Sequence, residues 1–157
     1  MTYDVLPIDP EHLDRVRRQG EDGHGNVLVA RAAHSGEPLR CCLRDAGAGE
    51  SIALIGYAPA GMGGGYREVG PVFIHADNCD GPMAIGYPTA FTHRQQVFRA
   101  YDAIGAIADA LLVEPGDHDV AVEKLFADPA VVEIHTRNVL YGCYMLRMRR
   151  RPPGQPH

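Results

Sequence analysis

"VVEIHTRNVLYGCYMLRMRRR" (131–151) decides the fold. Val132 and Ile134 alternate with Glu133, His135 and Arg137, while Tyr144, Leu146 and Met148 alternate with Cys143, Met145 and Arg147. Successive strand side chains point to opposite faces, so each run has one apolar and one mixed face. Asn138 and Gly142 in the intervening "NVLYG" suit a turn, which predicts a C-terminal antiparallel hairpin. Its apolar face is expected to meet the core. Its other face is expected to gather His135, Arg137, Cys143 and Arg147.

The same patterns extend outward from this hairpin. "TYDVLPI" (2–8) predicts a short strand, and "DPEHLDRVRRQ" (9–19) a helix with Asp9 as N-cap and Pro10 at its first position. "VLVARAA" (27–33), "SIALIGY" (51–57) and "GPVFIHA" (70–76) read as strands. "DHDVAVEKLFADP" (117–129) is an amphipathic helix that offers Val120, Val122, Leu125 and Phe126 to the core. Between them, 95–115 fits two patterns. Val97, Tyr101, Ile104, Ala108 and Leu111 form a helical stripe, yet "QVFRAY" and "AIADALLV" also read as strands around the turn "DAIG".

The chain of 157 residues is the size of one domain, taken as residues 1–150, with 151–157 as a disordered Arg/Pro tail. A net charge of −5 argues against general nucleic-acid binding, which needs a basic surface. Arg147, Arg149, Arg150 and Arg151 are expected to form a solvated strand end. No apolar run is long enough for a membrane helix, and the N-terminus lacks the charged-then-apolar order of a signal peptide. A cytoplasmic protein follows, with Cys41, Cys42, Cys79 and Cys143 as reduced thiols.

"EVGPVFIHADNC" (68–79), "RAYDAIG" (99–105) and "IHTRNVLYGCYMLRM" (134–148) together resemble the bacterial family catalogued as domain of unknown function 1203. "RCCLRDAGAGE" (40–50) also resembles that family's early segment, usually a Cys-Arg-x-Cys-Leu run followed by Ala-x-x-Gly-Glu. Leu39 stands where the first of those cysteines falls, and Cys42 matches the second. The resemblance implies a compact single domain and a strand–turn–strand over 95–113. The expected fold is therefore α+β, a mainly antiparallel sheet with two helices and the C-terminal hairpin.

Four chemistries compete for the polar residues. Gly61, Gly63, Gly64 and Gly65 follow a strand, but Tyr66 stands where a dinucleotide fingerprint needs glycine and a strand follows, so a mobile surface loop is expected. A zinc site could combine His75 and Cys79 with His135 and Cys143, but the chain lacks a Cys-x-x-Cys pair, and no metal or other cofactor is expected. Cys79 or Cys143 could be a nucleophile activated by His75 or His135, though free cysteines usually just pack.

The leading expectation is a cleft for a small anionic metabolite, lined by the 66–79 and 133–143 segments. Arg137 would hold the anion and Asn138 orient it, with Tyr66 and Cys143 nearby. His75, His135 and Glu68 would supply proton transfer. The plainer alternative pairs Arg137 with Glu133 or Glu68 on a solvated sheet face. The competing class is a homodimeric interaction module in which the hairpin adds strands to a partner sheet.

Overall fold

A computed structural model describes residues 3–155. In chain order the elements are β1 (Tyr3–Leu6), α1 (Pro10–Gln19), β2 (Arg31–Ala32), β3 (Pro38–Leu39), β4 (Arg44–Asp45) and β5 (Ser51–Tyr57). They continue with β6 (Gly70–His75), β7 (Gln96–Tyr101), β8 (Ile107–Val113), α2 (His118–Phe126), β9 (Glu133–Asn138) and β10 (Tyr144–Arg150). The fold is α+β in one domain, but its strands divide over two five-stranded sheets.

The first sheet has the order β1-β10-β9-β7-β8 and is antiparallel throughout. The expected hairpin forms its centre, with β9 beside β7 and β10 beside β1. The 95–113 segment is a hairpin too. Asp102 Oδ1 accepts the N–H groups of Ile104 and Ala106 at 3.0 and 2.9 Å, and Gly105 takes the left-handed φ of 80°. That Asx turn prevails over the helical stripe.

The second sheet has the order β2-β5-β6-β3-β4, with a single parallel contact where Leu39 meets Phe73. Of "VLVARAA", only Arg31 and Ala32 pair with β5. Upstream, the Asp22 carboxylate accepts from the N–H groups of His24, Asn26 and Gly56 and from the Asn26 side chain, at 2.7–3.1 Å. This clamps 22–26 as a loop against β5 and leaves Val27 and Val29 exposed.

Each sheet carries a helix and an apolar cluster. Leu13 and Val16 of α1 pack with Leu39, Ile52, Ile55, Val72 and Ile74. On α2, Ala121, Val122, Leu125 and Phe126 pack with Phe98, Ile134, Leu146 and Met148. Val120, expected in the core, is exposed because the buried stripe runs through 121, 122, 125 and 126.

Strand β10 contains a bulge. Tyr144 pairs with Arg137 but Leu146 with Thr136, so one extra residue lies between them. Met145, Leu146 and Met148 therefore turn to α2, whereas Tyr144 joins the cluster of the second sheet. Strict alternation had placed Tyr144 with Leu146 and Met148, and the bulge corrects it. The hairpin's mixed face is not solvated. It faces the second sheet and its 58–69 connection, and Glu133, His135 and Arg137 are all buried.

The glycine run belongs to this cover. Gly63 N–H donates to Gly105 O at 2.9 Å, so the loop is stitched to the β7–β8 turn. A Cβ on Gly63 would lie 2.1 Å from Ile104 O, and one on Gly61 2.3 Å from Glu133 Oε1. The glycines permit close packing here. At the C-terminus, Arg151, placed in the expected tail, pairs with Asp4.

Candidate metal centre

Residues 39–43 form a single tight turn, closed by Leu43 N–H donating to Leu39 O at 3.0 Å. Leu43 adopts a left-handed φ of 56°, which costs a branched side chain about 1–2 kcal/mol. Arg40 holds the turn from within. Its backbone N–H donates to Phe73 O at 2.9 Å, its Nε to Tyr144 O at 2.7 Å, and its Nη1 to Pro38 O. Burial pulls the pKa of this guanidinium down to about 10. In an extended strand consecutive side chains diverge. In this turn Cys41 and Cys42 bring their sulfurs to 3.9 Å.

His75 ends β6 beside that turn, and Cys79 follows in the next loop. The ligand atoms of Cys41, Cys42, His75 and Cys79 all lie within 4.8 Å of one another. His75 Nδ1 is 3.4 Å from Cys41 Sγ and 3.8 Å from Cys42 Sγ. Zinc–ligand bonds of about 2.0–2.3 Å in a tetrahedron separate neighbouring donors by roughly 3.6–3.8 Å. The separations among Cys41, Cys42 and His75, 3.4–3.9 Å, lie close to that edge, and every pair stays within 4.8 Å. Among the described residues this is the group of His, Cys, Asp and Glu that meets at such spacing.

The surroundings orient the donors. His75 N–H donates to Cys41 Sγ at 3.3 Å, and Arg17 of α1 donates to His75 O from Nε and Nη2 at 3.3 and 3.1 Å. His75 Nε2 lies 3.1 Å from Glu50 Oε1 and 3.3 Å from Arg44 Nη2. The ring thus has two settings. With Nε2–H donating to Glu50, Nδ1 is a free donor atom for a cation. With Nε2 accepting from Arg44, Nδ1–H faces the Cys41 sulfur. Such a carboxylate–histidine pair is the usual partner of a metal-bound imidazole.

Glu50 is itself fixed. It accepts from Arg44 at 2.5 and 2.8 Å and from the Gly47 N–H at 2.5 Å. Arg44, then Gly47 and His75, hold its carboxyl well below the usual range. Between the thiols, the Cys42 S–H donating to Cys41 pushes the Cys41 pKa down and the Cys42 pKa up. Burial pushes the Cys79 thiol up.

Residues 36–150 match the family described as "Protein of unknown function (DUF1203)". The chain belongs to the DUF1203 family. No curated protein and no solved structure matches it at a significant level. Where the resemblance puts a first cysteine, this DUF1203 chain buries Leu39 fully, and the sulfur beside that of Cys42 belongs to Cys41.

The other expected site residues of the DUF1203 chain lie elsewhere. His135 sits on β9, fully buried, with Nε2 2.9 Å from Glu133 Oε1 and its ring against Tyr101 and Tyr144. Among the described residues, no hydrogen bond, ion pair or ring contact joins any of these to His75. Arg137, only 7% exposed, pairs with Glu68, and its Nη1 donates to Gly142 O at 3.1 Å. Glu68 also meets Arg99 at 3.1 Å. Asn138 uses its N–H in the hairpin turn, donating to Cys143 O at 2.9 Å. Tyr66 is exposed, and the Cys143 thiol lies 3.6 Å from Tyr141 O.

Glu133 instead gathers charge. Arg147 approaches Oε1 at 3.3 Å and Arg149 approaches Oε2 at 3.5 Å. Burial would raise its pKa, but the His135 bond and the Arg147 charge prevail and lower it. Burial lowers the pKa of His135, which favours the neutral ring. Sequence reasoning passed over Cys41 and Cys42 because adjacent cysteines match no common ligand spacing. The available signal was "RCC" followed by a His–x3–Cys pair at the end of a predicted strand.

Proposed function

We propose that the protein binds a thiophilic divalent cation, zinc, through Cys41, Cys42, His75 and Cys79. The observation that carries this is the cluster of four donor atoms within 4.8 Å of one another, with Glu50 behind His75. Three thiolates and one imidazole form a closed shell with no place kept for water, which suits a held cation better than hydrolytic chemistry. The cation would join the 39–43 turn, the end of β6 and the 76–88 loop, and so add its binding energy to folding. The cytoplasm is the compartment this reading takes, since the thiols must stay reduced.

Anion binding around His135 and Arg137 has less support, because the guanidinium groups of Arg137, Arg147 and Arg149 already face Glu68 or Glu133. Strand addition by the hairpin has less support too, because both of its edges are paired.

The test is loading of the purified, reduced chain. One zinc ion per chain should bind and resist a chromogenic chelator, and cobalt should give the visible bands of a tetrahedral thiolate site. Cys41→Ser and His75→Ala should each weaken binding by more than tenfold, while Cys143→Ser should not. A wild-type chain that neither takes up zinc nor gains thermal stability from it ends the proposal.

A further inference from the structure

Cys42 and Cys79 differ from the other two donors in where they lie. Cys42 lines a surface hollow of about 250 Å³, together with Arg44, Gly81, Pro82 and Met83. Cys79 is partly exposed, on a loop from 76 to 88 without strand or α-helix. Cys41 is buried as Cys42 is, but it does not line that hollow; it is fixed by the His75 N–H, and its neighbour in sequence is a poor disulfide partner. Consecutive Cα atoms are about 3.8 Å apart, whereas disulfides usually span about 4.4–6.8 Å. Cys79 has no such restriction, since 37 positions separate it from Cys42 and its sulfur lies within 4.8 Å of the cluster's other donors.

We infer that the centre is a peroxide-sensitive switch in which Cys42 and Cys79 close to a disulfide and release the cation. The inference rests on the metal reading above. A peroxide enters by the hollow, and the Cys42 sulfur attacks it, forming an S–O bond as the O–O bond breaks and hydroxide leaves. The Cys79 thiolate then attacks Cys42, forming the S–S bond as the S–O bond breaks and a second hydroxide leaves. Two thiolates lose two electrons and one peroxide becomes two hydroxide ions. Closure needs the sulfurs to approach to about 2.05 Å, a movement the 76–88 loop can supply. Cys41 and His75 remain, two donors where zinc takes four.

The experiment uses the full reduced chain loaded with zinc, titrated with hydrogen peroxide. Released zinc is followed with a chromogenic indicator, and the products are mapped as non-reduced peptides. One zinc should leave per disulfide formed, the map should join Cys42 to Cys79, and excess dithiol should restore binding. In Cys79→Ser saturated with zinc, which keeps Cys42 a thiolate, the oxidation should stop at a Cys42 sulfenic acid, trapped by a cyclic dione. Cys143→Ser should release zinc as the wild type does. A loaded chain that keeps its zinc, or a map that joins any other pair, overturns the switch. Failure to load before peroxide is added would instead remove the metal reading. If Cys79→Ser does not fold, the wild-type map decides alone.

Discussion

Glu50 Oε1 stands 3.1 Å from His75 Nε2, on the side of the ring opposite the cysteine sulfurs. That relationship ties a partly exposed carboxylate to the behaviour of a half-buried donor. A neutral amide there can turn its N–H2 to the ring and favour the wrong tautomer. Glu50→Gln should therefore weaken zinc binding about 10–100-fold while leaving the chain folded, the range expected for a partner behind the ligand. Competition against a calibrated chelator measures the change, and an unaltered affinity would remove Glu50 from the site.

A different dependence on charge is expected at Glu133. It is 3% exposed and faces His135, Arg147 and Arg149. Glu133→Ala would leave the buried His135 N–H without its acceptor, at a cost of about 1–3 kcal/mol. Urea denaturation of the metal-free chain reads this directly. A double change with His135→Phe should recover part of the loss, because it removes the stranded group.

The glycine loop predicts a steric result. Gly61→Ala places a Cβ within 2.3 Å of Glu133 Oε1 at a φ of 91°, and Gly63→Ala one within 2.1 Å of Ile104 O. Each should destabilise by about 1–3 kcal/mol or more. Gly65→Ala, with open space around its Cβ and no left-handed φ, should be nearly silent in the same melts. Equal effects at all three positions would mean that the loop is not packed as described.

Acid should act through Asp22. Burial opposes its charge, but the Asn26 amide and the N–H groups of Gly56, His24 and Asn26 outweigh that and hold its pKa at about 2, against an ordinary 3.8. A folded-state value below the unfolded one means the unfolded chain takes up the proton first. The stabilisation is therefore full above pH 3.8 and is lost as pH falls toward about 2. Asp22→Asn should flatten that limb of the stability curve and cost about 1–3 kcal/mol at neutral pH.

Much of the fold is legible residue by residue, because alternation and capping are local. Asp9-Pro10 starts α1, Asp102 and Gly105 turn β7 into β8, and the hairpin of β9 and β10 follows its own pattern. The division into two sheets is not local. Glu133, His135 and Arg137 read as a wet face because nothing near them in sequence reveals the layer that covers them. The candidate metal centre is hidden for a similar reason. The Cys41-Cys42 turn depends on Leu43 taking a backbone conformation unusual for leucine, and on Arg40 reaching Tyr144, 104 positions away. His75 and Cys79 are visible as candidates, but alternation points to His135 and Cys143 of the hairpin as their partners and not to that turn.

The irregularity between Tyr144 and Leu146 gives β10 one more inward side chain than strict alternation allows. Removing Met145 would set Tyr144 and Leu146 in succession opposite Arg137 and Thr136, so the ladder would become regular and Arg147 and Met148 would keep their sides. The loss would be a fully buried thioether from the layer under α2, a hole that costs about 2–5 kcal/mol. The surplus amino acid fills the interior, and its deletion should loosen the packing without re-sorting the strand.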